Sequence, residues 1–293
     1  MKIAMFGTTL YAGVISSLLA ESGHQVFICN DLQDHTALFN LRDQDVVRSL
    51  KKQHKSGFLS YCDFAALPLD IDAYFFSFNP AQEGEALGVA KQLKMRTIIH
   101  PKLMINASTF GLNGTEKLKA VLTDDHWVYF PDIIQEGQAF KSVTSASKVI
   151  IGCADQQAQG HLEEMLRPIF PRPQQYLFMP ILDAEFTKLS ISGMLATRIS
   201  FMNDLANVSE KLGIDIQNVQ QGLASDSRIG ASYLSAGAGF GGENFSHDIL
   251  TLSNTVNATG VKSRLLDQVW EIKKKKKEIL FRKLWNIFKG DLK

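Results

Sequence analysis

The residues near the N-terminus have the types and spacing of a phosphate-binding turn. The chain reads Gly7-Thr8-Thr9-Leu10-Tyr11-Ala12 directly after an apolar run at residues 2–6. A dinucleotide fold places such a turn between a strand and a helix, so that backbone N–H groups and the helix N-terminus face a pyrophosphate. The G-x-G-x-x-G/A spacing therefore predicts that this segment binds a dinucleotide.

Two positions depart from that pattern. Thr9 stands at the second glycine position, where a side chain would crowd the pyrophosphate. The residue that holds the adenosine ribose should be acidic and end the second strand, but Asn30 stands there and Asp31 follows it. An amide can hydrogen-bond a hydroxyl but lacks the charge. Two alternatives stay open: a longer loop that ends at Gly13, and a strand–helix unit that binds no nucleotide.

Cysteine chemistry is not indicated by the sequence. Cys29, Cys62 and Cys153 are an odd and scattered set, which suits a reducing cytoplasm better than a disulfide framework. Their spacing does not match a zinc site, so we predict no metal.

Alternating strands and helices must position the glycine turn. Apolar runs predict strands at residues 2–6, 25–29, 73–78, 96–100, 103–107, 127–130 and 148–152. Helical periodicity lies between several of them, at residues 11–22, 83–93 and 114–122. The alternation favours an α/β fold in which a Rossmann-like, doubly wound sheet forms the N-terminal domain.

Strand signals stop after about residue 180. Helices are predicted at residues 186–212, 216–223 and 265–288, with a glycine-rich loop at residues 236–242. We therefore predict a Rossmann-like domain at residues 1–180 and an all-helical central domain at residues 181–293. The lysine run at residues 273–277 is predicted to form a solvated helix face, with binding to an anionic surface as the alternative.

Composition excludes several classes of function. A length of 293 residues with 45% hydrophobic residues suggests two globular domains. The net charge of +1 produces no global field that would attract nucleic acid. The sequence has no apolar run of about 18 residues for a membrane span and no signal-peptide pattern. We expect a cytoplasmic protein without nucleic-acid or membrane partners.

The second half of the chain contains a series of motifs in a characteristic order. They are Glu-Phe-Thr-Lys at residues 185–188, RISFMND at 198–204, DSRIG at 226–230 and GAGFGGENFSHD at 237–248. This series resembles the motifs E-x-x-K, R-I-S-F-x-N-E, D-x-R-I-G and G-x-G-x-G-G-S-C-F-P-K-D of the UDP-glucose and GDP-mannose 6-dehydrogenase family.

The resemblance implies a specific chemistry and a set of site residues. Family members oxidise a nucleotide sugar twice at C6 with NAD, through a cysteine thioester. By resemblance, the catalytic residues are Lys188, Asp248, Asp132 and Thr109, with Asn244 at the position of the family cysteine. The substrate contacts are Asp132, Glu136, Lys188, Ser192, Arg228, Gly239, Phe240 and Gly241, while Ser108, Thr109 and Glu136 join the cofactor site.

Asn244 departs from the family at the decisive position. A carboxamide is not a nucleophile at neutral pH, so the covalent steps lack their thiol. We expect NAD-dependent oxidation of a UDP-glucose-like sugar to be impaired or absent, and NAD binding to be weakened by the changes at Thr9 and Asn30. The alternative is a non-catalytic family member that serves as a scaffold or as the partner of an active paralogue.

The resemblance also has consequences for assembly. The family's C-terminal UDP-binding domain would begin where this chain stops, so we predict that it is absent through truncation or supplied by a separate polypeptide. The family forms a homodimer on its long central helix. Apolar residues at helical spacing are candidates for that contact, with ordinary intramolecular core as the alternative: Leu195, Ile199, Met202, Leu205 and Val208.

Overall fold

The computed structural model describes residues 1–29, 38, 41–96, 101–123, 126–261 and 264–288. Asn30 and Asp31 lie outside these ranges, and so does nearly all of the strand predicted at residues 96–100. The chain divides into two compact units, Met1–Lys188 and Leu189–Lys293. The division thus falls beyond Pro180, and the roles assigned to the two domains stay predictions.

One sheet organises the first unit. Its order is β3-β2-β1-β4-β5-β6-β7-β8, and all neighbours are parallel except β6 and β7. The order reverses between β1 and β4, which is where doubly wound sheets bind nucleotides. The strands are β1 (Lys2–Phe6), β2 (Gln25–Cys29), β3 (Leu59–Cys62), β4 (Ala73–Phe76), β5 (Leu103–Asn106), β6 (Trp127–Tyr129), β7 (Val149–Gly152) and β8 (Tyr176–Met179).

Helices flank the sheet and form the second unit. The helices of the first unit are α1 (Leu10–Glu21), α2 (Gln44–Lys55), α3 (Glu83–Met95), α4 (Gly114–Val121), α5 (Ala139–Thr144) and α6 (Gln156–Leu166). Helix α7 (Ile181–Leu212) spans the division. The second unit continues with α8 (Ile216–Ser225), α9 (Glu243–Ala258) and α10 (Arg264–Phe288). The predicted fold class is confirmed: a Rossmann-like sheet is followed by an all-helical region.

Sequence reasoning missed the two edge strands, β3 and β8. Both are only partly buried along most of their length, so the continuous apolar run of an inner strand is absent. Helices α2, α5, α6 and α9 were also missed. Asp43 caps α2 by accepting hydrogen bonds from the N–H groups of Asp45 and Val46, which a reading of the sequence could have found. The start of α7 was placed too late because its first turn, with Leu182 and Asp183 exposed, carries no apolar periodicity.

The sheet is buried on both faces. Ile3 and Met5 of β1 belong to one hydrophobic cluster, whereas Ala4 and Phe6 belong to the other. This alternation follows from the two-residue repeat of a strand. Helix packing on both faces is what a parallel sheet requires.

The second unit has a small core built around Phe240. Ala196, Ile249 and Val269 are buried with it, and Ile199 packs against them. Among the described residues, no helix is both long and apolar enough to cross a membrane.

The prediction that residues 273–277 form a wholly solvated face is wrong at Lys273. Its exposed fraction is only 5%. The Nζ atom lies 4.0 Å from the Trp270 ring centroid and 4.6 Å from that of Phe240, and it donates a hydrogen bond of 2.7 Å to Ser246 Oγ. Two aromatic faces and a hydroxyl offset the cost of burying this ammonium group.

A matched pair of glycine substitutions separates backbone strain from steric clash. Gly7 and Gly23 have similar positive φ angles, +94° and +87°, but a Cβ at Gly7 would lie 1.9 Å from the carbonyl oxygen of Ser77, whereas a Cβ at Gly23 meets nothing within 4 Å. We expect Gly23→Ala to lower the free energy of unfolding by about 1 kcal/mol. Gly7→Ala should lower it by about 3 kcal/mol or more, because a backbone atom must move. Urea denaturation measures both, and equal losses would contradict the close approach of the two strand ends.

Candidate functional site

Thr9 is the N-terminal cap of α1. Its Oγ1 atom accepts a hydrogen bond of 3.0 Å from the N–H of Ala12 and lies 2.6 Å from Ser77 Oγ. The residue is buried, so its side chain is directed into the protein. The threonine at the second glycine position therefore satisfies one donor of the helix N-terminus internally.

A cleft of ≈ 460 Å³ opens beside the first residue of α1. Leu10 and Glu136, both predicted to contact the cofactor, line it. Sequence reasoning missed Leu41, Arg42 and Asp43, which line the other side. No motif marks these residues, and only the start of α2 at an aspartate cap signals that they border an ordered element.

Asp132 and Tyr11 lie close together at the carboxyl edge of the sheet. Tyr11 is buried, and its ring centroid is 5.9 Å from that of Phe130. Burial raises the pKa of the Tyr11 hydroxyl well above its ordinary value, and the charge of Asp132 raises it further. Asp132 Oδ1 accepts a hydrogen bond of 3.0 Å from the N–H of Ile134, which orients the carboxylate. One predicted catalytic residue and one predicted cofactor residue thus share a location.

Ser108 and Thr109 are held in a buried loop after β5. The Ser108 hydroxyl donates to the carbonyl of Phe76 at 3.0 Å and accepts from the N–H of Phe78 at 2.9 Å. Its own N–H donates to Asn106 Oδ1 at 2.9 Å. These bonds link the loop to the end of β4. Thr109 is buried as well.

The same network continues to Glu185 on α7. Asn106 Nδ2 donates to Thr115 Oγ1 at 2.9 Å, and that hydroxyl donates to Glu185 Oε1 at 2.7 Å. Glu185 also accepts from the N–H groups of Thr115 at 2.8 Å and Asn113 at 2.7 Å. A buried carboxylate thus joins α7 to the start of α4.

Burial of Glu185 is only partly compensated by these contacts. Desolvation raises the pKa of its carboxyl group above the ordinary value, while the hydrogen bonds from Thr115 and Asn113 lower it. Lys188, the predicted oxyanion-stabilising residue, lies one helical turn further along α7 and is partly buried. The sequence analysis placed Glu185 in a motif but assigned it no role. A buried glutamate that accepts three hydrogen bonds fixes the rotation of the helical turn that carries it.

Ser192 and Asp248 meet in the second unit. Ser192 Oγ donates a hydrogen bond of 2.7 Å to Asp248 Oδ2, and both side chains are buried. Sequence reasoning had placed both residues at the site on separate motifs, and the helices α7 and α9 bring them together. Asn244 lies in the first turn of α9 and is partly exposed.

The glycine-rich loop is anchored by the RISFMND segment. Asn203 Oδ1 accepts a hydrogen bond of 2.9 Å from the N–H of Gly237. Phe240 is buried, with its ring perpendicular to that of Phe245 at a centroid distance of 5.3 Å. Gly239 has a φ of +98°, which favours glycine, and Gly241 is exposed.

Arg198 and Arg228 have different positions at the DSRIG turn. Arg198 donates to the carbonyl groups of Ile229 at 2.8 Å and Gly230 at 2.9 Å, so it holds the turn. The side chain of Arg228 is 88% exposed and makes two hydrogen bonds, of 3.0 and 2.6 Å, to the carboxylate of Asp226. Its substrate role across a dimer stays a prediction. Among the described residues, no group of three metal-ligating side chains was found.

Removing the Glu185 carboxylate tests the anchor of α7. Glu185→Ala leaves the N–H groups of Asn113 and Thr115 without their acceptor, and we expect the free energy of unfolding to fall by about 3 kcal/mol. Asp183→Ala is the matched control, because this exposed carboxylate lies on the same helix and its loss should change stability by less than about 0.5 kcal/mol. Chemical denaturation distinguishes the two, and similar small losses would show that the network does not hold the helix.

Comparisons with known proteins identify the family of the chain. Residues 182–275 match the model of the UDP-glucose/GDP-mannose dehydrogenase family, central domain. The UDP-glucose 6-dehydrogenase of Pseudomonas aeruginosa is 36% identical, over 99% of this chain and 69% of that protein. A UDP-glucose dehydrogenase of Pyrobaculum islandicum has a similar structure, with a TM-score of 0.82 and 21% identity over 93% of this chain and 68% of that one. UDP-D-ManNAc dehydrogenase of Pyrococcus horikoshii superposes with a TM-score of 0.84 at 17% identity, over 99% of this chain and 72% of that one. The chain belongs to the UDP-glucose/GDP-mannose dehydrogenase family.

Proposed function

We propose that this chain is an NAD-binding nucleotide-sugar dehydrogenase whose complete oxidation of a UDP-glucose-like substrate at C6 is impaired. The observation that carries the proposal is the cleft beside the N-terminus of α1, lined by Leu10, Arg42 and Glu136. A helix N-terminus and an arginine suit the anionic pyrophosphate of a dinucleotide. NAD held there would supply the hydride acceptor for oxidation of the sugar.

The residues of the chain supply the proton transfers and the positioning. Asp132 and Thr109 lie at the sheet edge of the first unit, and the Lys188 ammonium carries the charge needed to stabilise an alkoxide. In the second unit, Asp248 accepts a hydrogen bond from Ser192, which orients the carboxylate for work as a base. The chemistry of these side chains is that of a single oxidation, from alcohol to aldehyde.

The second oxidation lacks its nucleophile. A thiol at the position of Asn244 would add to the aldehyde and carry the acyl group until water released the acid. The amide of Asn244 does neither. We therefore propose that the chain does not complete the conversion to a uronic acid.

A non-catalytic role is the second candidate. It is favoured by Asn244 and by Thr9, whose side chain already caps α1. In that role the chain would pair with an active paralogue. NAD and sugar binding would then be residual.

Two experiments test the proposed function, one on NAD binding and one on the missing thiol. We expect calorimetry to detect NAD binding to the wild-type chain at about 1 mM, where the binding free energy is about −4 kcal/mol. Arg42→Ala should weaken that binding about tenfold.

With UDP-glucose, Asn244→Cys should raise NADH formation and release uronic acid, whereas the matched control Asn244→Ser should not.

Two outcomes would contradict the proposal. Uronic acid release by the wild-type chain would show that the thiol is dispensable. If the chain does not bind NAD at all, the dehydrogenase proposal is wrong and the scaffold role remains.

We also propose a homodimer that uses α7, on a face that shares only Val208 with the stripe suggested by the sequence. Met202 is fully buried and Ile199 packs into the core of the second unit, so the stripe named from the sequence is partly intramolecular. Among the exposed apolar residues of α7 are Met194, Phe201 and Val208, with exposed fractions of 63%, 53% and 50%. Their seven-residue spacing places them on one helix face, as in a helix–helix seam.

Charge substitution on this face tests the dimer. Phe201→Asp combined with Val208→Asp should convert a dimer into a monomer, because two carboxylates would be desolvated in the contact. Glu210→Lys, also exposed but on the opposite face of α7, should leave the dimer intact. Sedimentation equilibrium gives the mass of each variant. A wild-type monomer at all concentrations, or a dimer that survives both aspartates, would contradict the seam.

A further inference from the structure

The structure brings together two cysteines that are scattered in the sequence. Cys29 ends β2 and Cys62 ends β3, and the two residues are direct partners in the register of these parallel strands. Both are thiols. Neighbouring strands lie about 4.7–4.9 Å apart, which falls within the Cα separation of about 4.4–6.8 Å that a disulfide spans.

Both side chains also lie on the same face of the sheet. Cys29 is buried in the hydrophobic cluster that contains Phe6 and Phe76, and Cys62 packs against that cluster. Their neighbours Ile28 and Tyr61 belong to the cluster on the opposite face, as the alternation of strand residues requires. Register and face together direct the two thiols toward each other.

We propose that Cys29 and Cys62 form a reversible redox site, a cross-strand disulfide made by exchange with a low-molecular-weight disulfide. Cys62 is partly exposed and reacts first: its thiolate attacks one sulfur of the oxidant and releases one thiolate. The buried Cys29 then attacks Cys62 Sγ and releases the second. Two protein thiols are oxidised and one disulfide is reduced to two thiols, which take up the two protons that the protein thiols lose.

The location of the pair sets its chemical character. A strand spacing of about 4.8 Å lies near the short end of the Cα separations that a disulfide spans, and disulfides away from the preferred geometry belong to the labile, regulatory kind. The pair lies at the carboxyl edge of the sheet, the edge that carries the Gly7 turn. Cys153 is not equivalent, because it lies in a separate part of the first unit, where burial raises the pKa of its thiol and its Sγ donates to the carbonyl of Asp155.

Peptide mapping of the folded chain tests the proposal. The full chain is equilibrated with graded ratios of oxidised to reduced glutathione, the remaining thiols are alkylated in denaturant, and trypsin is added. Cleavage after Arg42, Lys55 and Lys148 separates the three cysteines. We expect a linked pair of peptides that contain Cys29 and Cys62, with Cys153 alkylated. Dithiothreitol should release the pair.

Matched variants identify the partners. Cys153→Ser should leave the linked pair unchanged, whereas Cys62→Ser should abolish it and leave Cys29 alkylated. A lasting glutathione adduct on Cys62 with Cys29 alkylated would overturn the proposal, because the second exchange would have failed. Linkage through Cys153, linkage between chains, or linkage that forms only after unfolding in urea would overturn it as well.

Discussion

The buried carboxylate of Glu185 is the interaction on which the positions of the loop after β5, the start of α4 and the start of α7 depend. It accepts three hydrogen bonds from Asn113 and Thr115, and through Thr115 and Asn106 it connects to the loop that carries Ser108. A buried carboxylate is costly unless such donors surround it. Because the donors come from the start of α4, the cost is offset only when the first turns of α7, which belong to the first unit, present Glu185 to them. The same contact sets the position of Lys188, which follows three residues later on α7.

The second unit uses amides and guanidinium groups for the same purpose. Its apolar core is small, so backbone groups of its loops need polar partners. Asn203 holds the glycine-rich loop and Arg198 holds the turn that contains Arg228. Lys273 adds a cation between Phe240 and Trp270 and reaches the hydroxyl of Ser246, two residues after Asn244. The loop and the first turn of α9 are therefore held by the same side chain.

The turn at residues 7–12 keeps its structure although Thr9 replaces the second glycine of the G-x-G-x-x-G/A pattern. Gly7 meets the backbone of Ser77, so no other residue fits there without movement. Thr9 lacks the conformational freedom of a glycine, but its hydroxyl caps α1 and contacts the Ser77 hydroxyl. The turn keeps its shape while its second position changes its chemistry. The cleft that follows is bounded by Arg42, which lies far along the chain from the motif.

The sequence by itself determined the fold class, the family and most element positions, because strand and helix periods are local and the motifs from Glu185 to Asp248 are specific. It also named Ser192 and Asp248 as site residues, and their roles in chemistry stay predictions. Only the tertiary structure decided which face of α7 is exposed, why Lys273 is buried and that Cys29 lies opposite Cys62 on the neighbouring strand. These properties depend on the register of strands and the rotation of helices, which are set by contacts between segments far apart in the chain.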